Sequence, residues 1–308
     1  MADERKTAYL FPGQGAQSVG MGRDVYDGFP AARKVFQQAD ERLGFSLSTL
    51  CFQGPQDELR KTINAQPALV TVSYACLRAA QEVGGLPAPA FVAGHSLGEY
   101  TALAAAGVLD FTDAVYLARE RGRLMYEAGL QRPGTMAAII GLDETVLAGI
   151  CRDTDTRIAN INCPGQLVIS GTTENVSRAV SLAAEKGASR TVPLQVSGAF
   201  HTPLMQPAVD GLAAIIPTLG FREPSIPVVA NTSARPLTKA EAIKLELLDQ
   251  LCNSVQWQAS MEHMVHNGVA SVIEIGPGRV LTGLMRRIDR SVETVNLGDT
   301  DAIRNLAA

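Results

Sequence analysis

A serine lies between two glycines at residues 94–98, which read G-H-S-L-G. A short apolar run at residues 90–93 precedes this segment, and a helix-forming run at residues 99–106 follows it. A strand, sharp turn and helix of this kind presents the central serine above a sheet, and the glycines let the backbone pass close to its neighbours. The spacing therefore predicts that Ser96 is a nucleophile, with a plain glycine-lined turn as the alternative.

Two backbone N–H groups are candidate donors to an oxyanion formed beside Ser96. The N–H of Leu97 and the positive end of the following helix both point toward the serine in such a turn. Residues 12–17 read P-G-Q-G-A-Q and follow a predicted strand at residues 7–11. The two glycines around Gln14 would let its N–H approach a ligand, so we expect Gln14 and Leu97 to form an oxyanion hole; a plain turn is the alternative for Gln14.

A histidine that could serve as the base stands just before a predicted helix. Thr202 is the predicted helix cap, which places His201 beside the positive end of the helix dipole. That position disfavours the imidazolium, so we expect His201 to stay neutral and available as a base near neutral pH. A histidine that only packs beside the turn is the alternative, and His95 is expected to pack under the serine turn.

One arginine falls on the apolar face of a predicted helix. The helix extends from residue 112 to about residue 128, and at about 100° per residue its small and apolar side chains form one stripe, with Arg121 near the middle. A cation on an apolar face is costly unless it is paired. Arg121 therefore either forms an internal salt bridge or binds a substrate carboxylate through two hydrogen bonds.

The elements that must position these side chains fall into two groups. Residues 136–196 predict the order βαββαβ, with strands at 136–141, 156–162, 166–170 and 190–196 and helices at 143–151 and 172–186. Glycine-bearing segments lie on both sides of this unit, which is typical of a ferredoxin-like insertion. We therefore expect an α/β fold: an α/β-hydrolase-like catalytic domain formed by residues 1–131 and 198–308, and an inserted ferredoxin-like domain at residues 132–197, with a cleft between them.

Composition excludes several other classes. The 308 residues are 46% hydrophobic and carry a net charge of -4 with both signs interleaved, so neither a nucleic-acid stripe nor a basic membrane patch is present. No apolar run reaches about 18 residues, and the first residues are charged, which favours a cytoplasmic location. The five cysteines form no C-x-x-C pair, and no third ligand is spaced to join His263 and His266, so we expect no metal and no cofactor.

Taken together, the motifs resemble those of malonyl-CoA:acyl-carrier-protein transacylases. The resemblance extends over nearly the whole chain and lies in residues 11–15, 94–100, 121–122, 198–201, 255–257 and 274–278. It implies that the chain transfers malonyl from malonyl-CoA to the phosphopantetheine thiol of a holo acyl carrier protein, through a malonyl-serine and in a ping-pong cycle. The pathway served would be fatty-acid or polyketide synthesis.

The same resemblance implies a role for each candidate residue. Ser96 would be the nucleophile and His201 the base. Arg121 would bind the malonyl carboxylate, and the N–H groups of Gln14 and Leu97 would be the oxyanion donors. An acidic helix of the carrier protein is expected to dock on basic residues of the predicted helix at 279–287, which are Arg279, Arg286 and Arg287.

The resemblance also implies how the histidine is oriented. In that family a main-chain carbonyl orients the histidine, and the matching position here is Gln256. This would explain why no Asp or Glu follows Ser96 at a strand end of the large domain, as an α/β-hydrolase would require. One departure affects this loop, because the family often has proline where this chain has Ser254.

Other functions share part of this pattern. A serine thioesterase or esterase would use Ser96 and His201, but it would have no use for a buried cation at Arg121 and would normally supply a third, acidic residue. A stand-alone acyltransferase of a polyketide pathway would keep all three residues. A non-catalytic module that binds a carrier protein would leave the nucleophile and the base without a use.

Overall fold

Ten strands form two separate sheets in the computed structural model, which describes residues 5–307. The strands are β1 (Lys6–Phe11), β2 (Pro89–Gly94), β3 (Thr135–Ile140), β4 (Arg157–Cys163), β5 (Gln166–Gly171), β6 (Arg190–Pro193), β7 (Val228–Val229), β8 (Pro236–Leu237), β9 (Val269–Ile275) and β10 (Glu293–Leu297). The architecture is mixed α/β, as the sequence predicts.

The helices alternate with these strands along the chain. They are α1 (Arg23–Gly28), α2 (Pro30–Leu43), α3 (Leu47–Gln53), α4 (Gln56–Arg60), α5 (Thr62–Val83), α6 (Gly98–Ala105), α7 (Phe111–Gln131), α8 (Glu144–Thr154), α9 (Thr173–Glu185), α10 (Gln206–Ile215), α11 (Ala240–Cys252), α12 (Trp257–His266), α13 (Val280–Ile288) and α14 (Thr300–Arg304). Within residues 5–307, no helix combines the length and the apolarity that crossing a membrane requires.

The larger sheet has the strand order β10-β9-β1-β2-β7-β8, and every neighbouring pair except β7–β8 is parallel. The strands β1 and β2 are adjacent, with Phe11 in register with Gly94. Because the carboxyl ends of parallel strands lie at one edge of a sheet, the loop after β1 and the turn after β2 meet there. This edge brings the predicted Gln14 loop beside the predicted serine turn.

The smaller sheet is antiparallel throughout, in the order β4-β5-β3-β6. Its strands and helices follow one another as βαββαβ, which confirms the order predicted for this part of the chain. Apolar side chains of the sheet and of α8 and α9, among them Ile139, Leu147, Ile169 and Val176, form a core separate from that of the larger sheet. The predicted strand at residues 190–196 is too long, because β6 ends at Pro193 and, within residues 5–307, only one further residue, Leu194, donates to β3, at the carbonyl of Met136.

A short stretch of chain after α11 connects the two sheets. Val255 donates from its N–H to the carbonyl of Ala159 and accepts from the N–H of Ile161, both at 2.9 Å, so it pairs with β4 as a parallel bridge. This pairing fixes the smaller sheet against the segment that leads into α12.

Several predicted boundaries agree with the structure and others differ. The helix α11 covers the predicted residues 240–252. The helix α7 begins directly after Asp110 and ends at Gln131, so it is longer at both ends than the predicted helix at residues 112–128. The predicted strand at residues 226–231 reduces to β7, because Pro227 cannot donate at its start and Ala230 turns back toward Arg235.

Candidate active site

The turn between β2 and α6 depends on close backbone approach at both glycines. A Cβ on Gly94 would lie 1.9 Å from the carbonyl carbon of Gly98, and a Cβ on Gly98 would lie 2.1 Å from the carbonyl oxygen of Phe11. Neither glycine has a positive φ; the left-handed residue is Ser96, with φ 49°. The predicted strand, turn and helix are therefore present, and the backbone strain lies at the serine itself.

Two carboxamide side chains hold the Ser96 backbone from opposite sides. The Ser96 N–H donates to Oδ1 of Asn231 at 2.7 Å. The Ser96 carbonyl accepts from Nε2 of Gln250 at 3.1 Å. Because a left-handed non-glycine residue costs on the order of 1–3 kcal/mol, these bonds stabilise a conformation that the chain would otherwise leave.

The serine and the predicted base are in hydrogen-bond contact. Oγ of Ser96 lies 2.9 Å from Nε2 of His201, and Nδ1 of His201 lies 2.7 Å from the carbonyl oxygen of Gln250. A carbonyl oxygen only accepts, so Nδ1 carries the proton and Nε2 is free to accept from the serine hydroxyl. The tautomer is therefore the one that a base for Ser96 requires.

The carbonyl that orients His201 is that of Gln250, so the expectation of Gln256 is wrong. Gln250 lies in the last turn of α11, where the final carbonyls have no partner within the helix. The carbonyl of Gln256 is already used, because it accepts from the N–H of Ser260 at 2.9 Å in the first turn of α12.

Burial and a neighbouring cation keep His201 neutral. The side chain is 4% exposed. Desolvation and the positive charge of Arg121 lower the pKa of His201 to about 3, against the opposing hydrogen bond to the Gln250 carbonyl. The imidazole is therefore unprotonated at neutral pH, as predicted, although burial rather than the helix dipole is the main cause.

Arg121 is buried, and its hydrogen-bond partners are neutral groups. It is 2% exposed and donates from Nη1 to Oε1 of Gln66 at 2.8 Å and from Nη2 to Oε1 of Gln250 at 2.7 Å. Nη2 also lies 3.2 Å from Oγ of Ser96. Within residues 5–307, Arg121 forms no ion pair and its Nε has no hydrogen-bond partner. The guanidinium thus faces the serine without a direct carboxylate partner, which leaves its charge available to an anion in the cleft.

The two predicted oxyanion donors lie in neighbouring turns. Gly13 approaches the serine turn so closely that a Cβ there would be 2.4 Å from the carbonyl oxygen of His95. The side chain of Gln14 is held by a 2.9 Å hydrogen bond from Thr62. Neither the Gln14 N–H nor the Leu97 N–H donates to any residue in the described range, so both are available to a ligand.

These groups open onto one cleft of about 320 Å³. Residues 194–196, which follow β6, also line it, so the unit that carries the smaller sheet forms part of its wall. The part of the chain that carries the larger sheet contributes Gln14, Ser96, Arg121 and His201 to the lining of the cleft. The smaller sheet contributes Met136 and Asn160.

The remaining histidines do not face the serine hydroxyl. Nε2 of His95 lies 2.8 Å from Oδ1 of Asn162, and its ring packs against Trp257 with centroids 5.3 Å apart. His263 contacts Arg235 at the surface. No group of three potential metal ligands is close together in the described part of the chain.

Sequence reasoning missed four side chains of this site. Asn231 and Gln250 hold Ser96, Gln66 holds Arg121, and Glu99 contacts both Asn231 and Gln250. A signal existed for one of them, because Glu246 and Gln250 lie one turn apart on a helix face that is otherwise apolar.

Comparisons with known proteins define this chain as an acyltransferase. A family model described as acyl transferase domain matches residues 8–299, so the chain belongs to that family. The malonyl CoA-acyl carrier protein transacylase of Bacillus subtilis is 45% identical over 303 residues, which cover 97% of this chain and 95% of that protein. The resemblance found in the motifs is confirmed.

Solved structures agree over nearly the whole chain. The acyl-carrier-protein-S-malonyltransferase from Bartonella henselae matches with a TM-score of 0.94 at 42% identity and covers 98% of this chain and 100% of that one. A malonyl-transacylase solved in complex with the acyl-carrier protein of a type II PKS matches with a TM-score of 0.95 at 42% identity, covering 98% and 99% of the two chains.

The low pKa of His201 predicts an acid-dependent loss of stability. The unfolded chain takes up a proton on this histidine as pH falls below about 6.5, whereas the folded protein does not until about pH 3, so stability decreases as pH falls through this window. Between about pH 6.5 and 5 the protein should lose about 1.6 kcal/mol more of its unfolding free energy than His201→Gln does. Urea unfolding of both proteins at the two pH values measures this difference, and parallel pH dependences would contradict it.

Proposed function

We propose that this protein transfers the malonyl group from malonyl-CoA to the phosphopantetheine thiol of a holo acyl carrier protein, through a malonyl ester on Ser96. One observation carries the proposal: Oγ of Ser96 lies within hydrogen-bond distance of both an unprotonated histidine nitrogen and a buried guanidinium that has no acid partner within residues 5–307. Nucleophile, base and anion site therefore converge on one oxygen. The names of the relatives agree with this reaction.

The first half-reaction loads the enzyme. Nε2 of His201 takes the proton from Oγ of Ser96 as that oxygen attacks the thioester carbonyl of malonyl-CoA. The N–H groups of Gln14 and Leu97 donate to the resulting oxyanion. Its collapse breaks the carbon–sulfur bond, and the departing CoA sulfur receives the proton from His201.

The second half-reaction is the reverse of the first with a different thiol. The phosphopantetheine thiol of the carrier gives its proton to Nε2 of His201 and attacks the malonyl ester. The ester bond to Ser96 breaks, and the proton returns from His201 to the serine oxygen. One histidine in one tautomer serves both halves, because Nδ1 keeps its proton and donates it in a hydrogen bond to the Gln250 carbonyl throughout.

Arg121 provides the preference for malonyl. In a malonyl group on Ser96, one methylene separates the free carboxylate from the ester carbonyl. The carboxylate is therefore within reach of the Arg121 guanidinium, whose Nη2 lies 3.2 Å from the serine oxygen. A charge-assisted hydrogen bond in a buried site is stronger than one in water. An acetyl group would leave the same cation without its anion, which favours malonyl.

A serine thioesterase or esterase is the other reading of the pair Ser96 and His201. That reading would place a carboxylate on Nδ1 of His201 as an orienting group, and the acceptor at that position is the main-chain carbonyl of Gln250. It would also leave Arg121 without a use. Transfer to a thiol is therefore the better account of the site.

For the domains, we propose an α/β-hydrolase-like catalytic domain at residues 1–131 and 198–308 and a ferredoxin-like insertion at residues 132–197. The predominantly parallel sheet with a serine turn after one of its strands supports the first description. The βαββαβ order and the antiparallel sheet β4-β5-β3-β6 support the second.

The carrier protein should dock near α13. The buried carboxylate of Glu274 accepts from the N–H groups of Leu281 and Thr282 and so fixes the start of this helix. Arg279 and Arg286 line a hollow of about 270 Å³ on its exposed side. An acidic carrier helix would be complementary to these two charges.

The reaction is tested by following malonyl on the protein. Incubation with malonyl-CoA without carrier should add one malonyl group to the unsubstituted protein, and holo carrier added afterwards should remove it. Ser96→Ala should show no mass gain, whereas Ser197→Ala, at an exposed serine beside the cleft, should still be labelled. Peptide mass spectrometry locates the group; a requirement for both substrates before any labelling would exclude the ping-pong cycle.

The role of Arg121 is tested by substrate preference. Arg121→Ala should lower kcat/KM for malonyl loading roughly 150-fold, corresponding to about 3 kcal/mol, while acetyl loading is kept or improves. Arg119→Ala is the matched control, because Arg119 lies on the same helix and donates to Ile63 and Asn64 instead. A loss of thermal stability with an unchanged malonyl-to-acetyl ratio would show that Arg121 has only a structural role.

Charge reversal tests the docking surface. Arg279→Glu with Arg286→Glu should raise the KM for the carrier protein and weaken its salt dependence, while malonyl loading from CoA keeps its rate. Arg178→Glu, on the exposed face of α9, is the control and should leave the carrier KM unchanged. Equal carrier kinetics in both variants would rule out this surface.

A further inference from the structure

A buried glutamate lies directly behind the serine turn and is not used in the reaction above. Glu99 is in the first turn of α6 and is 1% exposed. Its Oε1 accepts from the main-chain N–H of Asn231 at 3.1 Å and from Nδ2 of the same residue at 3.0 Å, and its Oε2 accepts from Nε2 of Gln250. Every one of these contacts to the carboxylate comes from a donor.

The contact with Glu99 is one of three that favour the observed orientation of the Gln250 carboxamide. Nε2 of Gln250 donates to Glu99 and to the Ser96 carbonyl, and Oε1 accepts from Nη2 of Arg121. A reversed carboxamide would set its NH₂ group against the guanidinium and its oxygen against two other acceptors. The Glu99 carboxylate therefore holds Gln250 in the orientation that binds Arg121.

The same argument applies to Asn231. Its Nδ2 donates to Glu99 and, at 2.8 Å, to the Gly94 carbonyl, while its Oδ1 accepts from the Ser96 N–H. Reversal would put a donor against the Ser96 N–H and an oxygen against two acceptors. One carboxylate thus orients both carboxamides that hold the strained serine backbone.

The ionised form of Glu99 is the one that these contacts fit. Burial and the neighbouring carboxylate of Glu246 raise the pKa of Glu99, and hydrogen bonds from Asn231 and Gln250 act in the opposite direction. A protonated carboxyl would need an acceptor for its own hydrogen, and the three groups bound to the Glu99 oxygens each offer an N–H instead. A carboxylate with two accepting oxygens satisfies all three bonds.

We propose that Glu99 is a positioning residue of the acyl-transfer site: through the Gln250 and Asn231 carboxamides it sets the position of Arg121 and the backbone of Ser96. This inference rests on the proposed function and adds a determinant of malonyl selectivity that does not touch the substrate. Through Gln250, Glu99 holds the guanidinium in place without neutralising it by direct contact.

The substitution Glu99→Gln tests this geometry with almost no change in shape. A carboxamide has one accepting oxygen and one NH₂ group. The NH₂ group of the introduced side chain would therefore face the NH₂ group of either Asn231 or Gln250, and that side chain must reverse or lose its hydrogen bond. Reversal at Gln250 displaces Arg121, and reversal at Asn231 releases the Ser96 N–H. Because a buried unsatisfied polar group costs on the order of 1–3 kcal/mol, we expect kcat/KM for malonyl loading to fall at least about tenfold.

The readout that separates positioning from simple destabilisation is the ratio of malonyl to acetyl loading. We expect this ratio to fall at least about fivefold in Glu99→Gln, because the carboxylate-binding cation is displaced. Glu246→Gln is the matched control, because Glu246 is also buried and lies near Glu99 but accepts its hydrogen bonds from Thr232. The malonyl-to-acetyl ratio of this variant should equal that of the unsubstituted protein. A Glu99→Gln ratio within about twofold of the unsubstituted protein overturns the proposal, whatever happens to the melting temperature.

A double variant serves if Glu99→Gln alone does not fold. In Glu99→Gln with Gln250→Glu, the carboxamide at 99 can donate to the acid at 250, and that acid can pair directly with Arg121. We expect folding to recover only in part, because a carboxylate at 250 cannot donate to the Ser96 carbonyl. The malonyl preference should stay low, because Arg121 is then neutralised. Recovery of both stability and preference would overturn the proposal.

The unsubstituted protein supplies an independent test. A neutron or atomic-resolution structure gives the orientation of the Gln250 carboxamide, and an oxygen directed at Glu99 overturns the proposal even if no variant folds. The proposed function fails separately: it fails if the unsubstituted protein takes no malonyl on Ser96, whereas the role of Glu99 fails if that protein loads malonyl and Glu99→Gln keeps the same preference.

Discussion

The site depends on a serine backbone held in the left-handed region. With φ 49°, Ser96 occupies a conformation that residues with a Cβ rarely adopt. The backbone of the turn packs so closely at Gly94 and Gly98 that neither position has room for a Cβ. Asn231 and Gln250 bind its N–H and its carbonyl and so offset the cost. The parallel order of β1, β2 and β7 brings these groups together, because it places the ends of those strands at one edge.

The second property of the site is a positive charge without an adjacent acid. Arg121 is bound by the carboxamides of Gln66 and Gln250, which accept from its Nη1 and Nη2 but leave its charge uncompensated by direct contact. That charge also lowers the pKa of His201 and so helps to keep the base unprotonated. Neutral hydrogen-bond partners thus serve two purposes, since they leave the cation free for an anionic substrate and keep the histidine basic.

The smaller sheet completes the cleft. Residues 194–196 leave β6 and line one wall, and the pairing of Val255 with β4 ties that sheet to the chain that links α11 and α12. Because α11 also carries Gln250, the wall and the group that orients His201 are connected through a few residues of chain. The cleft and the catalytic pair are therefore parts of one packed unit.

Local sequence determined much of the fold. Apolar alternation, glycine turns and helix caps depend on neighbouring residues, which is why β1, the serine turn, α11 and the βαββαβ order could be predicted. The burial of Arg121 also followed from helical periodicity alone. Exact ends were less predictable: β6 and β7 are shorter than predicted because ladder pairing, which depends on distant residues, decides where a strand stops.

The partners of the catalytic groups were decided by tertiary structure. The resemblance to the family implied a histidine oriented by the main-chain carbonyl of Gln256. Which carbonyl points at His201 depends on where α11 ends in space, and there the free carbonyl is that of Gln250. Glu99 and Gln250 are 151 residues apart, and each by itself reads as an ordinary polar residue on a helix. No local pattern records such a contact, because a hydrogen bond depends on distance and direction between groups that only the packing of the sheet and helices brings together.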